Sequence, residues 1–147
     1  MTSEQKRKLA DLFAKEHVAV LITRGDPWPT GTMQAFAETD DLDLLFIMGA
    51  TAEKYQNLLK DPHVTVVVDT RDSGNVPTFE VARASIQGVA AEVQRGEPQS
   101  EAFKAIFLKK NPFEEPFFAN PALRMMRIAP KRVSYANGLK DSFKLEL

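Results

Sequence analysis

The sequence predicts a mainly β fold with helices (α+β), in which six or more mostly antiparallel strands form a closed or nearly closed barrel. Short apolar runs rich in β-branched residues recur along the chain, and turn-forming residues separate the first three by only a few positions. Two or three short amphipathic segments with helical spacing interrupt them. The number of strands and the chain length do not separate a barrel from a sandwich, so both architectures remain open.

The first half of the chain predicts one helix and three strands. A helix is expected over 4–16, capped by Ser3, because three apolar residues share one helical face: Leu9, Leu12 and Phe13. Three apolar runs then predict strands over 17–23, 30–37 and 42–48. Since polar turns join these runs, the three strands form an antiparallel meander.

The second half predicts two helices and three strands. A helix over 52–60 buries Tyr55, Leu58 and Leu59 and ends before Pro62, because the residue before proline avoids helical dihedral angles. A second helix over 100–109 turns three apolar residues inward: Phe103, Ile106 and Phe107. The remaining expected elements are a central strand at 64–69, a loop at 71–77, a long strand at 80–93 bent at Gly88, an irregular stretch at 111–120 and a last strand at 123–135 broken near Pro130.

Composition limits the functions open to the chain. Its 147 residues suit a single domain over 1–147, and 44% apolar with 27% charged residues is ordinary for a soluble globular protein. The formal charge of −1 offers no basic field, so neither nucleic acid nor a membrane is expected as a partner. Absence of cysteine excludes disulfides and thiolate chemistry. The charged N-terminus and the lack of a long apolar run predict a cytoplasmic protein.

A lysine near a helix start makes 48–69 the most informative stretch. Lys54 lies about one turn inside the predicted helix, whose expected cap is Thr51. A cation at this end opposes the helix dipole by roughly 0.3–1 kcal/mol, whereas a bound phosphate would attract both the lysine and the free N–H groups. The alternative is a solvated lysine partly offset by Glu53.

The order of several short motifs resembles the flavin-binding split β-barrel superfamily, related to pyridoxamine 5'-phosphate oxidase. The resemblance covers about residues 4 to 137. Its motifs are the strand VAVLIT at 18–23, the turn Trp28-Pro29, Thr51-x-x-Lys54-x-x-Asn57-Leu58, Asp61-Pro62-His63-Val64, SIQGVA at 85–90 and RIAPKRV at 127–133. This family implies a six-stranded split β-barrel that forms a homodimer, with FMN bound between the subunits. Some relatives use heme or deazaflavin, and these remain alternatives.

The same resemblance places a flavin beside strands two and three. It implies that the ring lies against Thr32, Met33 and Gln34, where a strand backbone and an amide side chain offer donors and acceptors together. Further cofactor contacts are expected at Met48, Gly49, Thr51, Lys54 and Arg83. The family's strand-two arginine is missing, and its Ser-Arg-Lys phosphate motif reads Ala52-Glu53-Lys54, so vitamin B6 oxidation itself is not expected.

Catalytic side chains are not evident. There is no nucleophile elbow, no glycine-rich phosphate loop and no acid–base pair, while His17 and His63 lack a second ligand at metal spacing. Flavin chemistry is compatible with this, because the cofactor itself transfers the hydride. The resemblance therefore implies an FMN-dependent oxidoreductase acting on a small organic substrate, with a non-catalytic flavin carrier of the same fold as the alternative.

Overall fold

The computed structural model describes residues 1–71 and 76–147, which form three α-helices and eight strands. The helices are α1 (Ser3–Lys15), α2 (Glu53–Lys60) and α3 (Pro98–Lys110), with 3-10 turns at Thr78–Glu80 and Pro112–Ala119. The strands are β1 (Val18–Thr23), β2 (Thr30–Ala35), β3 (Ala37–Glu38), β4 (Leu44–Gly49), β5 (His63–Asp69), β6 (Ala82–Val93), β7 (Leu123–Asn137) and β8 (Asp141–Glu146).

All strand pairs are antiparallel, and the strand order closes the sheet on itself. The order is β2-β1-β5-β6-β7-β4-β3, with β8 added beside β7. Only Phe36 separates β2 from β3, so the two ends of this order are consecutive parts of one chain segment. The predicted antiparallel barrel is confirmed. Counting β2 and β3 as one strand, the described sheet has seven strands rather than six, and β8 is the addition.

Two hydrophobic cores lie on opposite sides of the sheet. The larger fills the barrel interior, where Phe36, Phe46 and Ile86 are fully buried and α1 closes one end. The smaller lies outside the barrel, where Phe107 of α3 packs on Leu45. Alternating side chains of β4 therefore contribute to both cores, which explains why this strand is almost uniformly apolar.

The predicted helices are present, with corrections to a cap and to two apolar faces. Thr2 rather than Ser3 caps α1, because its hydroxyl accepts from the Gln5 N–H while the Gln5 side chain binds back to Thr2. Leu59 of α2 is 62% exposed and Ile106 of α3 is 36% exposed, so both inward assignments were wrong. Each lies next to a residue that takes the buried position, and consecutive helical residues point about 100° apart.

The bend predicted at Gly88 is a register shift between β6 and β7. A Cβ on Gly88 would lie 2.4 Å from the carbonyl oxygen of Ala129, so only glycine fits there without a shift of backbone. Pro130 is the partner of Gly88, and β7 continues through it instead of breaking. A register shift tolerates the missing N–H of proline, which explains why the expected break does not occur.

One loop prediction falls partly outside the described residues. The loop expected over 71–77 includes 72–75, which lie outside the described residues. Within the described ranges, no helix combines the length and apolar character needed to span a membrane.

Candidate functional site

The start of α2 has no side-chain cap. Its N-cap residue is Ala52, in an extended conformation with φ −65° and ψ 142°, and no side chain accepts from the first turn. The prediction that Thr51 caps this helix was wrong, because Thr51 lies one residue earlier and is exposed. The N–H of Ala52 donates to Gly49 O at 3.0 Å, which holds the turn. The first-turn N–H groups are thus left for solvent or an anion.

The ammonium of Lys54 lies half-buried against Gln34. Lys54 donates to the Gln34 side-chain oxygen, and Gln34 Nε2 donates to Ile47 O at 3.1 Å. Gln34 therefore links β2 to β4 where the two strands are not paired with each other. Burial lowers the pKa of Lys54, and no carboxylate of the described residues counteracts that shift. An anion next to Lys54 would restore the stability of its charged form.

Glu53 does not neutralise Lys54. Its carboxylate accepts from Thr30 Oγ1 at 3.1 Å instead. Asn57, one turn after Lys54, donates to Thr23 Oγ1 at 3.1 Å and to Thr30 Oγ1 at 3.3 Å. These bonds hold α2 against β1 and β2, and so fix where Lys54 lies. The sequence motif Thr51-x-x-Lys54-x-x-Asn57-Leu58 includes Asn57, but its bonds to β1 and β2 were not predicted.

The three predicted residues of β2 point to both faces of the sheet. Thr32 and Gln34 pair with Leu21 and Ala19, both fully buried, so they point towards the barrel side. Met33 points outward and is 60% exposed. Thr32 Oγ1 is buried and has no hydrogen-bond partner within the described residues. An orphaned buried hydroxyl is uncommon, and because this oxygen is inaccessible it offers no direct contact to a ligand in the present conformation.

At the end of β4, backbone groups rather than side chains are available to a ligand. Met48 is 4% exposed and packs in the larger core, so its side chain has a structural role. A Cβ placed on Gly49 would meet no other atom within 4 Å. The space beside Gly49 is therefore open, which allows a ligand to approach the backbone closely.

Arg83 does not join this group within one chain. It is exposed on β6, where it is the register partner of Asp69, and its Nη1 donates to Val81 O at 3.2 Å. Strands β1 and β5 lie between β6 and β2 in the sheet. The structure thus brings together the start of α2, Gln34, Thr32 and the end of β4, and leaves Arg83 on the outer face.

The two histidines are apart from this group. His63 is exposed, and its ring Nδ1 lies 2.7 Å from Asp61 Oδ1. The backbone N–H of His63, followed by its ring, lowers the pKa of Asp61. No cluster of three or more histidine, cysteine, aspartate or glutamate residues capable of holding a metal occurs in the described part of the chain.

Comparison with known proteins identifies one family and many structural neighbours. A family model described as pyridoxamine 5'-phosphate oxidase matches residues 5–137. No curated protein matches the chain. A heme-binding protein of Mycobacterium smegmatis is similar with a TM-score of 0.87 and 16% identity, over 99% of this chain and 59% of its own length. The present chain therefore spans well under two thirds of that protein.

Two further neighbours match over nearly their whole length. HutZ of Vibrio cholerae, a heme storage protein, has a TM-score of 0.74 and 14% identity, over 93% of this chain and 92% of its own. General Stress Protein 26 of Bacillus anthracis has a TM-score of 0.69 and 16% identity, over 98% and 99% respectively. Identities this low establish a shared fold and nothing about a shared ligand.

Proposed function

This chain belongs to the pyridoxamine 5'-phosphate oxidase family, and we propose that it binds FMN at the start of α2 and acts as a flavin-dependent oxidoreductase on a small organic substrate. The observation that carries the proposal is the half-buried Lys54 beside an uncapped helix N-terminus. Proteins hold phosphate groups with this combination of a cation and free N–H groups.

The phosphate end of FMN fits the residues at this position. Burial makes the charged form of Lys54 less stable and so lowers its pKa. The partner of its ammonium is the neutral amide of Gln34. A phosphate would receive charge-assisted hydrogen bonds from the ammonium and further bonds from the helix N–H groups. Thr51 is exposed next to this point and is proposed as a supporting contact.

The ring end fits between β2 and the end of β4. Gln34 presents an amide and Gly49 open space beside its backbone. Thr32 contributes through its backbone groups in this proposal, since its hydroxyl oxygen is inaccessible. Met33 and Met48 contribute through their backbone groups in this proposal, since their side chains point outward and into the core. A flat heterocycle rich in hydrogen-bonding atoms matches this arrangement of donors and acceptors.

A second copy of the chain completes the site in this proposal. The outer face of the sheet carries an apolar row formed by Met33, its partner Val20, and Val67, which pairs with Val20. Arg83 lies on the same outer face, on β6, with β1 and β5 between it and β2. A homodimer that buries this row would bring the Arg83 of one subunit towards the flavin of the other.

FMN would supply the hydride chemistry, and the protein would bind it, orient it and limit water at its ring. Bound FMN reduced by NADH or NADPH without oxygen supports an oxidoreductase. Flavin that stays oxidised with both donors supports the alternative, a flavin carrier. Deazaflavin binding is tested by the same titration with that ligand in place of FMN.

Heme is a second candidate ligand, because two structural neighbours are described as heme-binding and heme storage proteins. An axial ligand from this chain would be a histidine, a methionine or a tyrosine, since it has no cysteine. Asp61 contacts His63 at ring Nδ1, which leaves Nε2 as the ligating atom. We favour FMN over heme because Lys54 and the uncapped start of α2 suit a phosphate group.

A flavin titration tests the proposal directly. Purified protein is titrated into FMN and, separately, into riboflavin, which has the ring without the phosphate, and flavin fluorescence is followed. We expect saturable binding of FMN that survives gel filtration and binding of riboflavin that is at least about tenfold weaker. Protein that remains colourless after incubation with FMN would overturn the proposal.

A further inference from the structure

A cavity of about 470 Å³ lies at the edge of the smaller core. Its apolar floor is formed by neighbouring residues of β6 and β7, Val93, Leu123 and Met125. Phe118 of the 3-10 turn forms an aromatic wall. Met125 belongs to the smaller core with Phe107, and Val93 and Phe118 pack against that core, so the cavity lies at its edge.

Three cations surround the cavity, and two of them have no carboxylate partner within the described residues. Arg95 donates to the carbonyl oxygens of Asn120 and Leu123 at 2.7 and 3.1 Å. Lys104 Nζ lies 5.2 Å from the centroid of the Phe118 ring. Arg124 is the third, and its Nε lies 3.6 Å from Glu92.

The two carboxylates that line the cavity do not balance these charges. Glu92 already accepts from the Tyr55 hydroxyl and from Gln94 Nε2 at 3.0 Å, besides its contact with Arg124. Glu101 is exposed at the rim. Three cations against two carboxylates leave about one positive charge in the lining. Arg95 is exposed and Lys104 is half-buried, and a half-buried charge is stabilised by a counter-ion.

We propose that this cavity binds a small aromatic carboxylate, with its ring against Phe118 and the apolar floor. Its carboxylate group lies between Lys104 and Arg95, where two charge-assisted hydrogen bonds form. A monoanion neutralises the surplus charge, and an aromatic body fills a cavity of this size better than a small inorganic anion. This cavity adjoins the proposed flavin site, because its lining residues Leu123 and Arg124 pair with Gly49 and Met48, but neither Lys54 nor Gln34 lines it.

The probe is 1-naphthoate, and 1-naphthamide serves as a neutral ligand of nearly the same shape. Each is titrated into the full-length protein saturated with FMN, and into protein without it, and followed by calorimetry and by ¹H–¹⁵N NMR. We expect naphthoate to bind at least about tenfold more tightly than naphthamide in both states. The largest amide shifts are expected at Val93, Ser100 and Lys104. Equal affinities, shifts centred on α2, or displacement of FMN would overturn the proposal.

Variants locate the site independently of the flavin. Lys104→Met should weaken naphthoate at least about tenfold while leaving naphthamide unchanged. Lys109→Met, an exposed lysine on the same helix, is the matched control and should leave both unchanged. Ser100→Trp should block both ligands by filling the cavity, with the circular dichroism spectrum retained. Unaltered naphthoate binding by Lys104→Met and Ser100→Trp would contradict the assignment.

Discussion

Replacing Lys54 by methionine should remove the phosphate contribution to FMN binding without unfolding the protein. The ammonium is half-buried next to Gln34, and burial lowers its pKa, so the free protein loses little when the charge is removed. In the complex the same ammonium would hold a phosphate dianion. A hydrogen bond to a charged group contributes about 1.5–3 kcal/mol, which corresponds to a loss of affinity of about 10- to 150-fold.

Riboflavin separates the phosphate contact from any general damage to the site. Lys54→Met should weaken FMN by that factor and change riboflavin by less than about twofold. Lys54→Glu should weaken FMN further, because it introduces repulsion at the same helix start. Lys60→Met, at the opposite end of α2 and exposed, is the control that should leave FMN binding unchanged. Fluorescence titration measures each dissociation constant.

Two results would refute the reasoning. Unchanged FMN affinity in a folded Lys54→Met protein would remove this residue from the phosphate site. Equal weakening of FMN and riboflavin would mean that Lys54 acts on the shape of the groove through Gln34. Thermal unfolding within about 3 °C of the wild type confirms that the variant is folded.

Four further outcomes follow from the structure. Gly49→Ala should keep the fold, because the added Cβ meets no atom within 4 Å. It should weaken the binding of FMN and of riboflavin alike by about tenfold. Unchanged affinities for both flavins would contradict close approach of the ring to Gly49. Met33→Asp should give a monomer by light scattering and lose flavin. The control Leu139→Asp, at a turn residue that is 78% exposed, should remain a dimer. A dimeric Met33→Asp protein would contradict the proposed interface. Gly88→Ala should destabilise the fold by about 1–3 kcal/mol in urea unfolding because of its backbone clash, and a change below about 0.5 kcal/mol would be inconsistent with the close approach. Burial lowers the pKa of Lys54 in the folded protein, so below that pKa the charged lysine destabilises the fold. This destabilisation disappears as pH rises towards the unfolded value of 10.5, so in urea titrations the wild type should gain stability relative to Lys54→Met across that range. A stability difference that does not change with pH would contradict the lowered pKa.

The barrel could be predicted because alternation and turn residues are local properties. The runs that became β1, β4 and β5 are short and apolar, and the bend at Gly88 has its cause in a single close contact with Ala129 O. By contrast, β8 went unassigned, although Phe143 and Leu145 alternate with polar residues. A strand whose alternation rests on two apolar residues depends on its partner, here β7, to form.

The candidate site was predicted residue by residue but not as an arrangement. The family motif identified Lys54, whereas its bond to Gln34 depends on where β2 and β4 separate, which no local pattern records. The expected cap at Thr51 failed because the helix begins two residues later, at Glu53, with Ala52 as its boundary. Arg83 was placed with the cofactor by resemblance alone, and the sheet order puts two strands, β1 and β5, between it and β2.

The visible absorption spectrum of freshly purified protein tests the central claim most directly. If α2 and Lys54 hold FMN, the protein should be yellow, show the two-banded flavin spectrum, and release FMN on denaturation. A single intense Soret band would identify heme as the ligand. A colourless protein that also fails to retain added FMN would contradict a flavin site altogether.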